Sequence, residues 1–92
     1  EDPAIDLAVL CALLSSFDDQ LLPKNMCFAG EVGLSGEIRS VNRIDQRIAE
    51  AAKLGFEKML IPRNNFKNLP ATKLSIEIVP VGKVEEVYRL LF

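Results

Sequence analysis

The chain has 92 residues, room for one small domain and not for two. It is 49% hydrophobic and 26% charged, a globular composition that excludes a disordered or fibrous chain. A formal charge of −2 excludes a module that is basic on average, although a local basic stripe survives an acidic mean.

Asp2-Pro3 reads as a helix opening, with Asp2 as the cap and Pro3 in the first turn, where a missing N–H costs nothing. From Ala4 to Leu14 every residue except Asp6 is apolar. A helix apolar nearly all round is buried on most sides. So short a chain leaves few elements to cover it, so the expectation is an apolar face or sheet edge that further chain or a partner covers. The run is too short to cross a bilayer. Residues 15–25 read as a polar connection: Ser15, Ser16, Asp18 and Asp19 weaken the helix and Pro23 ends it.

Residues 30–62 are the most ordered stretch of the pattern. A strand starts at Met26 and runs into Gly30-Glu31-Val32; a tight turn at Gly33-Leu34-Ser35-Gly36 leads to a second strand at residues 37–41. Asn42 caps a helix that runs to about Leu54. Ile44, Ile48, Ala51 and Gly55 recur at i, i+4, i+7 and i+11, which is one helical face. Asp45 suits the positive helix end, and Gly55 suits a left-handed stop. Met59-Leu60-Ile61 is a buried strand closed by Pro62. Residues 37–61 thus read as a βαβ unit, with its two strands expected to be parallel.

Residues 63–70 read as a short capped helical turn with Phe66 and Leu69 tucked in. Residues 75–80 form the last strand. Gly82 starts a final helix with Val84, Val87, Tyr88 and Leu91 on one face, two acids near its start and Arg89 near its end. The whole is an α/β domain in the order helix, β-hairpin, helix, strand, short helix, strand, helix. The expected core is Leu7, Leu10, Cys11, Leu14, Ile44, Ile48, Leu60, Ile61, Ile78, Val84, Val87 and Leu91.

Little in the chain carries covalent chemistry. There is no histidine, which excludes Cys–His and Ser–His pairs. Cys11 and Cys27 sit in apolar runs and read as buried free thiols of a reducing compartment, not as a zinc site. Ser35 and Ser40 read as turn and strand-surface residues. Gly30, Gly33 and Gly36 lack the Gly-Lys-Ser/Thr ending of a phosphate loop and fit tight turns. The remaining polar feature is basic. Arg39, Arg43 and Arg47 flank the start of the second helix, and Arg43 and Arg47, four apart, share a face. Lys24, Lys53 and Lys58 are further cations of unfixed location. Arg47 pairing with Glu50, and Arg43 as a solvated flank, are the structural alternatives to nucleic-acid contact.

The string GEVGLSGEIRSVNRIDQRIAEAAKLGFEKMLIP resembles the C-terminal half of the proteolytic domain of Lon-type proteases, in which a Gly-Glu strand, a Gly turn, a helix and an Ile-Pro strand follow in this order. Residues 1–8, EDPAIDLA, and 42–47, NRIDQR, are closer to the Lon-like C-terminal domain of a family of bacterial DNA repair proteins than to a true Lon. A competence-type ATPase with a similar domain matches less well, because its helix start lacks the Arg-Ile-x-Gln-Arg string. The resemblance covers essentially the whole chain. It implies a Lon protease-like (ribosomal S5 domain 2-like) fold, with residues 1–92 a fragment of one C-terminal domain whose first strands lie upstream.

Lon-type proteases use a serine–lysine dyad. Counting without gaps from Gly30-Glu31, the serine position falls on Ala4 and the lysine position on Arg47. Ala4 has no nucleophile, and a guanidinium stays protonated where a desolvated lysine can act as base. The resemblance therefore implies a degenerate dyad: a catalytically inactive scaffold and oligomerisation domain with no cofactor and no metal of its own. It implies a cytoplasmic, homo-hexameric, DNA-dependent ATPase as parent, using ATP, magnesium and a structural zinc in other parts and acting on single-stranded or branched DNA. Arg39, Arg43 and Arg47 would supply any DNA contacts. A peptide-binding remnant or a pure oligomerisation module is the alternative.

Overall fold

A computed structural model describes residues 4–70 and 74–92. The element order is β1 (Ala4–Asp6), α1 (Leu7–Asp18), β2 (Met26–Phe28), β3 (Glu31–Gly33), β4 (Ile38–Arg39), α2 (Ile44–Lys53), β5 (Lys58–Pro62), α3 (Arg63–Lys67), β6 (Glu77–Val81) and α4 (Val84–Leu91). The strands form two three-stranded sheets, ordered β1-β3-β4 and β2-β5-β6. The first is antiparallel, pairing Ala4 with Gly33 and Val32 with Ile38. The second is parallel, pairing Cys27 with Met59 and Met59 with Ile78.

β5 divides the core. Side chains alternate across a strand, so Leu60 faces one apolar cluster and Met59 and Ile61 face the other. The first cluster gathers Leu7, Cys11, Val32, Ile38, Val81 and Val87 around Leu60. The second gathers Ala29, Ile48, Ala51 and Ile76 around Met59 and Ile61. A strand covered on both faces reads as an unbroken apolar run, which is how Met59-Leu60-Ile61 stands in the sequence.

α2 follows its pattern. Ile48 and Ala51 are buried on its inner face. Its end is a Schellman motif: Gly55 N–H donates to the Ala52 carbonyl at 3.1 Å and Phe56 N–H to Ala51 at 3.1 Å, with Gly55 at φ 93°. Its start differs from the expectation. Arg43, not Asn42, is the cap residue, at φ 57° and ψ 45°, and no side chain caps the helix.

The first segment differs more. Ala4–Asp6 is a strand, and the helix opens at Leu7. The cap is Asp6, whose Oδ1 accepts from Ala8 N at 2.9 Å and Val9 N at 3.2 Å. The expected cap at Asp2-Pro3 lies outside the described residues. The helix also continues through Ser15 and Ser16 to Asp18, where Asp19 at φ 53° closes it. Only Leu7 and Cys11 are buried on it. Phe17 is 86% exposed, and Val9 and Leu13 are exposed beside it, so the outer face of α1 is apolar and uncovered among the described residues.

The single strand expected from Met26 to Val32 is two, one in each sheet. Gly30 at φ 144° swings the chain between them. A Cβ there would stand 3.0 Å from Ile38 Cγ2 and 3.4 Å from Pro62 Cγ, so glycine is required twice over. The expected βαβ unit at 37–61 therefore does not exist within one sheet. The parallel neighbour of β5 is β2, and the hairpin and α2 together make the crossover.

The final strand and helix sit a residue or two later than expected, at Glu77–Val81 and Val84–Leu91. Of the expected core, Leu7, Cys11, Ile48, Leu60, Ile61 and Val87 are buried. Leu10, Leu14, Ile44, Ile78, Val84 and Leu91 are half-buried. Phe66 is exposed, not tucked in, whereas Leu69 packs on the second cluster. The sheets are joined where Ile38 N–H donates to the Gly82 carbonyl at 3.0 Å and Val84 N–H to Gly36 at 2.9 Å.

Candidate functional site

Ala4 is exposed on β1 and lines an apolar groove of about 470 Å³ with Ile5, Leu10, Val32, Leu34 and Val84. Arg47 is exposed on α2, where its Nε donates to the Asn42 carbonyl at 3.0 Å. It borders a different groove, of about 280 Å³, with Phe28, Glu50, Leu54 and Phe56. The two positions thus open onto separate grooves, and neither offers a nucleophile or a base. A methyl group cannot attack a carbonyl, and a guanidinium does not accept a proton at workable pH.

The three arginines take three different settings. Arg39 is half-buried on β4, its Nε and Nη2 both donating to Oε2 of Glu37, at 3.2 and 3.0 Å. Arg43 is exposed in the left-handed backbone region before α2, a conformation costing a non-glycine residue about 1–2 kcal/mol. Arg47 is turned back along its own helix start. The pairing of Arg47 with Glu50 considered from sequence is replaced by the bond to the Asn42 carbonyl.

The side chains that share a cleft with Arg39 come from elsewhere. A cleft of about 350 Å³ between β4 and the start of α3 is lined by Glu37, Arg39, Ser40, Arg63, Asn64 and Gly82. Arg63 was not singled out from sequence. Its guanidinium grips Glu86 with Nη1 at 3.2 Å and Nη2 at 2.7 Å. Glu86 also accepts from Gly82 N at 3.0 Å and Lys83 N at 3.1 Å, which ties the start of α4 to α3. The grip of Arg63, with the two backbone donors, holds the Glu86 carboxyl down at about 2. Glu37 is also lowered, first by a backbone hydrogen bond and then by Arg39. The neighbouring Asn65 amide exchanges two bonds with Val41, accepting from its N–H at 2.9 Å and donating to its carbonyl at 3.0 Å. That exchange holds α3 against the chain leaving β4. The sequence signal for this site was the run Arg63-Asn64-Asn65, placed at once after a buried strand.

Burial pushes the Cys11 thiol up to about 11, with Asp6 adding to the effect, and burial raises half-buried Cys27 as well. Neither is poised as a nucleophile. Among the described residues no group of three or more His, Cys, Asp or Glu side chains could hold a metal ion. No helix among them is long and apolar enough to cross a membrane.

Residues 1–65 match the family model described as subunit ChlI of Mg-chelatase, and the chain belongs to that family. Within it, the chain is similar over its full length to particular DNA repair proteins. It is 48% identical over 92 residues to the DNA repair protein RadA of Streptococcus pneumoniae, covering 100% of this chain and 22% of that protein. RadA of Bacillus subtilis is 48% identical over 89 residues, or 97% of this chain and 19% of that protein. RadA of Listeria monocytogenes is 45% identical over the same shares. The resemblance to a bacterial DNA repair family is borne out. The chain spans about a fifth of the length of these relatives.

Proposed function

We propose that this chain is a Lon protease-like scaffold domain, without peptidase chemistry, of an ATP-dependent DNA repair and recombination protein similar to RadA. The observation that carries the reading is the full-length identity of 48% to a DNA repair protein in a chain with Ala4 and Arg47 at the two dyad positions. In this reading the fold is the Lon-like one and the 92 residues are one piece of its C-terminal domain. The domain assembles a cytoplasmic hexamer, and ATP, magnesium and zinc are held by other parts of the longer protein. Exposed Arg43 and half-buried Arg39 contact phosphates of single-stranded or branched DNA, and repetition around a ring multiplies a patch that is modest in one copy. Arg47 is the weakest of the three candidates, because it is already committed to the Asn42 carbonyl.

The test is made in the full-length protein. Arg39→Glu with Arg43→Glu should weaken the binding of labelled single-stranded DNA in fluorescence anisotropy, more so at low salt, and leave ring size by light scattering unchanged. Normal rings with parental DNA affinity at two salt concentrations would remove the DNA contact from the proposal. Serine-directed probes should not label the protein, and labelling would remove the inactive dyad.

A second reading has one observation in its favour. The apolar groove beside Ala4 adjoins β1, which pairs on one side only among the described residues. An extended peptide adding to that edge would make the domain a peptide-binding remnant of a serine–lysine peptidase. In a third, the exposed face of Val9, Leu13 and Phe17 on α1 serves assembly alone.

A further inference from the structure

The cleft between β4 and α3 carries more than the arginine pattern of the sequence. We propose that it is a phosphodiester-binding site of the DNA contact surface, in which Glu37 occupies Arg39 until a nucleic-acid phosphate displaces it. This inference rests on the reading that the domain touches DNA.

Three features of the cleft support it. First, the Arg39 fork is poorly matched by its partner. Both Nε and Nη2 reach one oxygen of Glu37, Oε2, while the other oxygen accepts from Ser35 N at 3.1 Å. A guanidinium fork pairs best with two oxygens side by side, which a phosphodiester presents. Second, the two carboxylates are not equivalent. Glu86 is fixed by Arg63 and by two backbone N–H groups, and so it positions the Arg63 guanidinium at the cleft wall. Glu37 has a looser set of partners, and its side chain is 38% exposed. It is the carboxylate that can leave. Third, the cleft holds neutral donors in waiting. Neither the Ser40 hydroxyl nor the Asn64 side-chain amide makes a hydrogen bond, and both are exposed beside the arginines.

The charges Arg39, Arg63, Glu37 and Glu86 sum to zero. The cleft therefore does not attract DNA from a distance; it acts at contact, after Arg43 and the ring have brought the strand near. Glu37 then behaves as an internal competitor, and removing its charge exposes the full attraction of Arg39. A neutral amide in its place keeps the bond to Ser35 N and so preserves the turn.

The experiment uses the full-length protein and fluorescein-labelled oligothymidylate, read by anisotropy at two salt concentrations with melting curves to check folding. Glu37→Gln should bind about 2–5-fold more tightly, the range set by freeing one exposed ion pair. Its salt dependence should steepen by up to about one phosphate contact. Asn64→Ala should bind about 2–5-fold more weakly at unchanged slope, the loss of one neutral hydrogen bond. Binding by Glu37→Gln no tighter than the parent overturns the proposal, as does parental binding by Asn64→Ala. If those two are parental while Arg39→Glu with Arg43→Glu weakens binding, the domain touches DNA but not through this cleft. If all three are parental, the DNA contact itself falls.

Discussion

Ile48→Ala tests whether α2 is the lid of the second apolar cluster. Ile48 is 3% exposed and packs among Ala29, Ala51, Met59, Ile61 and Ile76. The substitution removes three buried carbons, about 2.4 kcal/mol at roughly 0.8 kcal/mol each. Neighbours already as small as Ala29 and Ala51 cannot move in to refill the space, so a cavity remains and the total rises to about 3–4 kcal/mol. A domain of this size has a stability of roughly 5–14 kcal/mol, so the loss is a large part of it. Urea unfolding followed by circular dichroism should show the midpoint fall at unchanged slope, and the melting temperature should drop by about 12 °C or more. Phe17→Ala is the matched control. Phe17 is a larger side chain but 86% exposed, so its loss should stay within about 0.5 kcal/mol. Equal melting of the two variants would refute the assignment of α2 to the core.

Gly30→Ala should destabilise by about 2 kcal/mol or more in the same assay, because the added methyl meets Ile38 at 3.0 Å in a backbone region that L residues rarely adopt. Glu86 is depressed to about 2 in the fold, so its stabilising effect is complete above about pH 4.5 and is lost as pH falls toward 2. The parent's melting temperature should fall across that window, and Glu86→Gln should melt lower at pH 7 with a flatter profile there. Parallel profiles would show that the Arg63–Glu86 grip contributes nothing. Cys11 is fully buried with its thiol raised to about 11, so alkylation at pH 8 should reach it only as fast as the domain opens. Fast, full labelling of Cys11 in mass spectrometry would contradict its place in the core.

What the sequence made legible was mostly local. The helical face of Ile48 and Ala51, the stop at Gly55 and the apolar run of β5 depend on neighbours within a few residues, and each is where the pattern put it. The failures came where distant chain decides. Ala4–Asp6 is apolar enough for a helix, but the hairpin offers it a strand partner in Val32 and Gly33, and Asp6 then becomes the cap. Gly30 was read as part of a strand when its φ makes it the crossing between two sheets. α1 was expected to be buried all round; two small sheets cover one side of it and leave Phe17 outside. The arginine cluster failed for a similar reason. Helical spacing relates Arg43 to Arg47 only if both are in the helix, and Arg43 stands before it. Arg39 meets Arg63 across 24 residues of sequence, through a cleft that no local spacing encodes.

The central claim is that this domain assembles the longer protein instead of cutting peptides. Light scattering on the full-length protein with and without these 92 residues tests it most directly. The account predicts a hexamer for the complete protein and a collapse to monomers or dimers on removal. A truncated protein that still forms hexamers would contradict it.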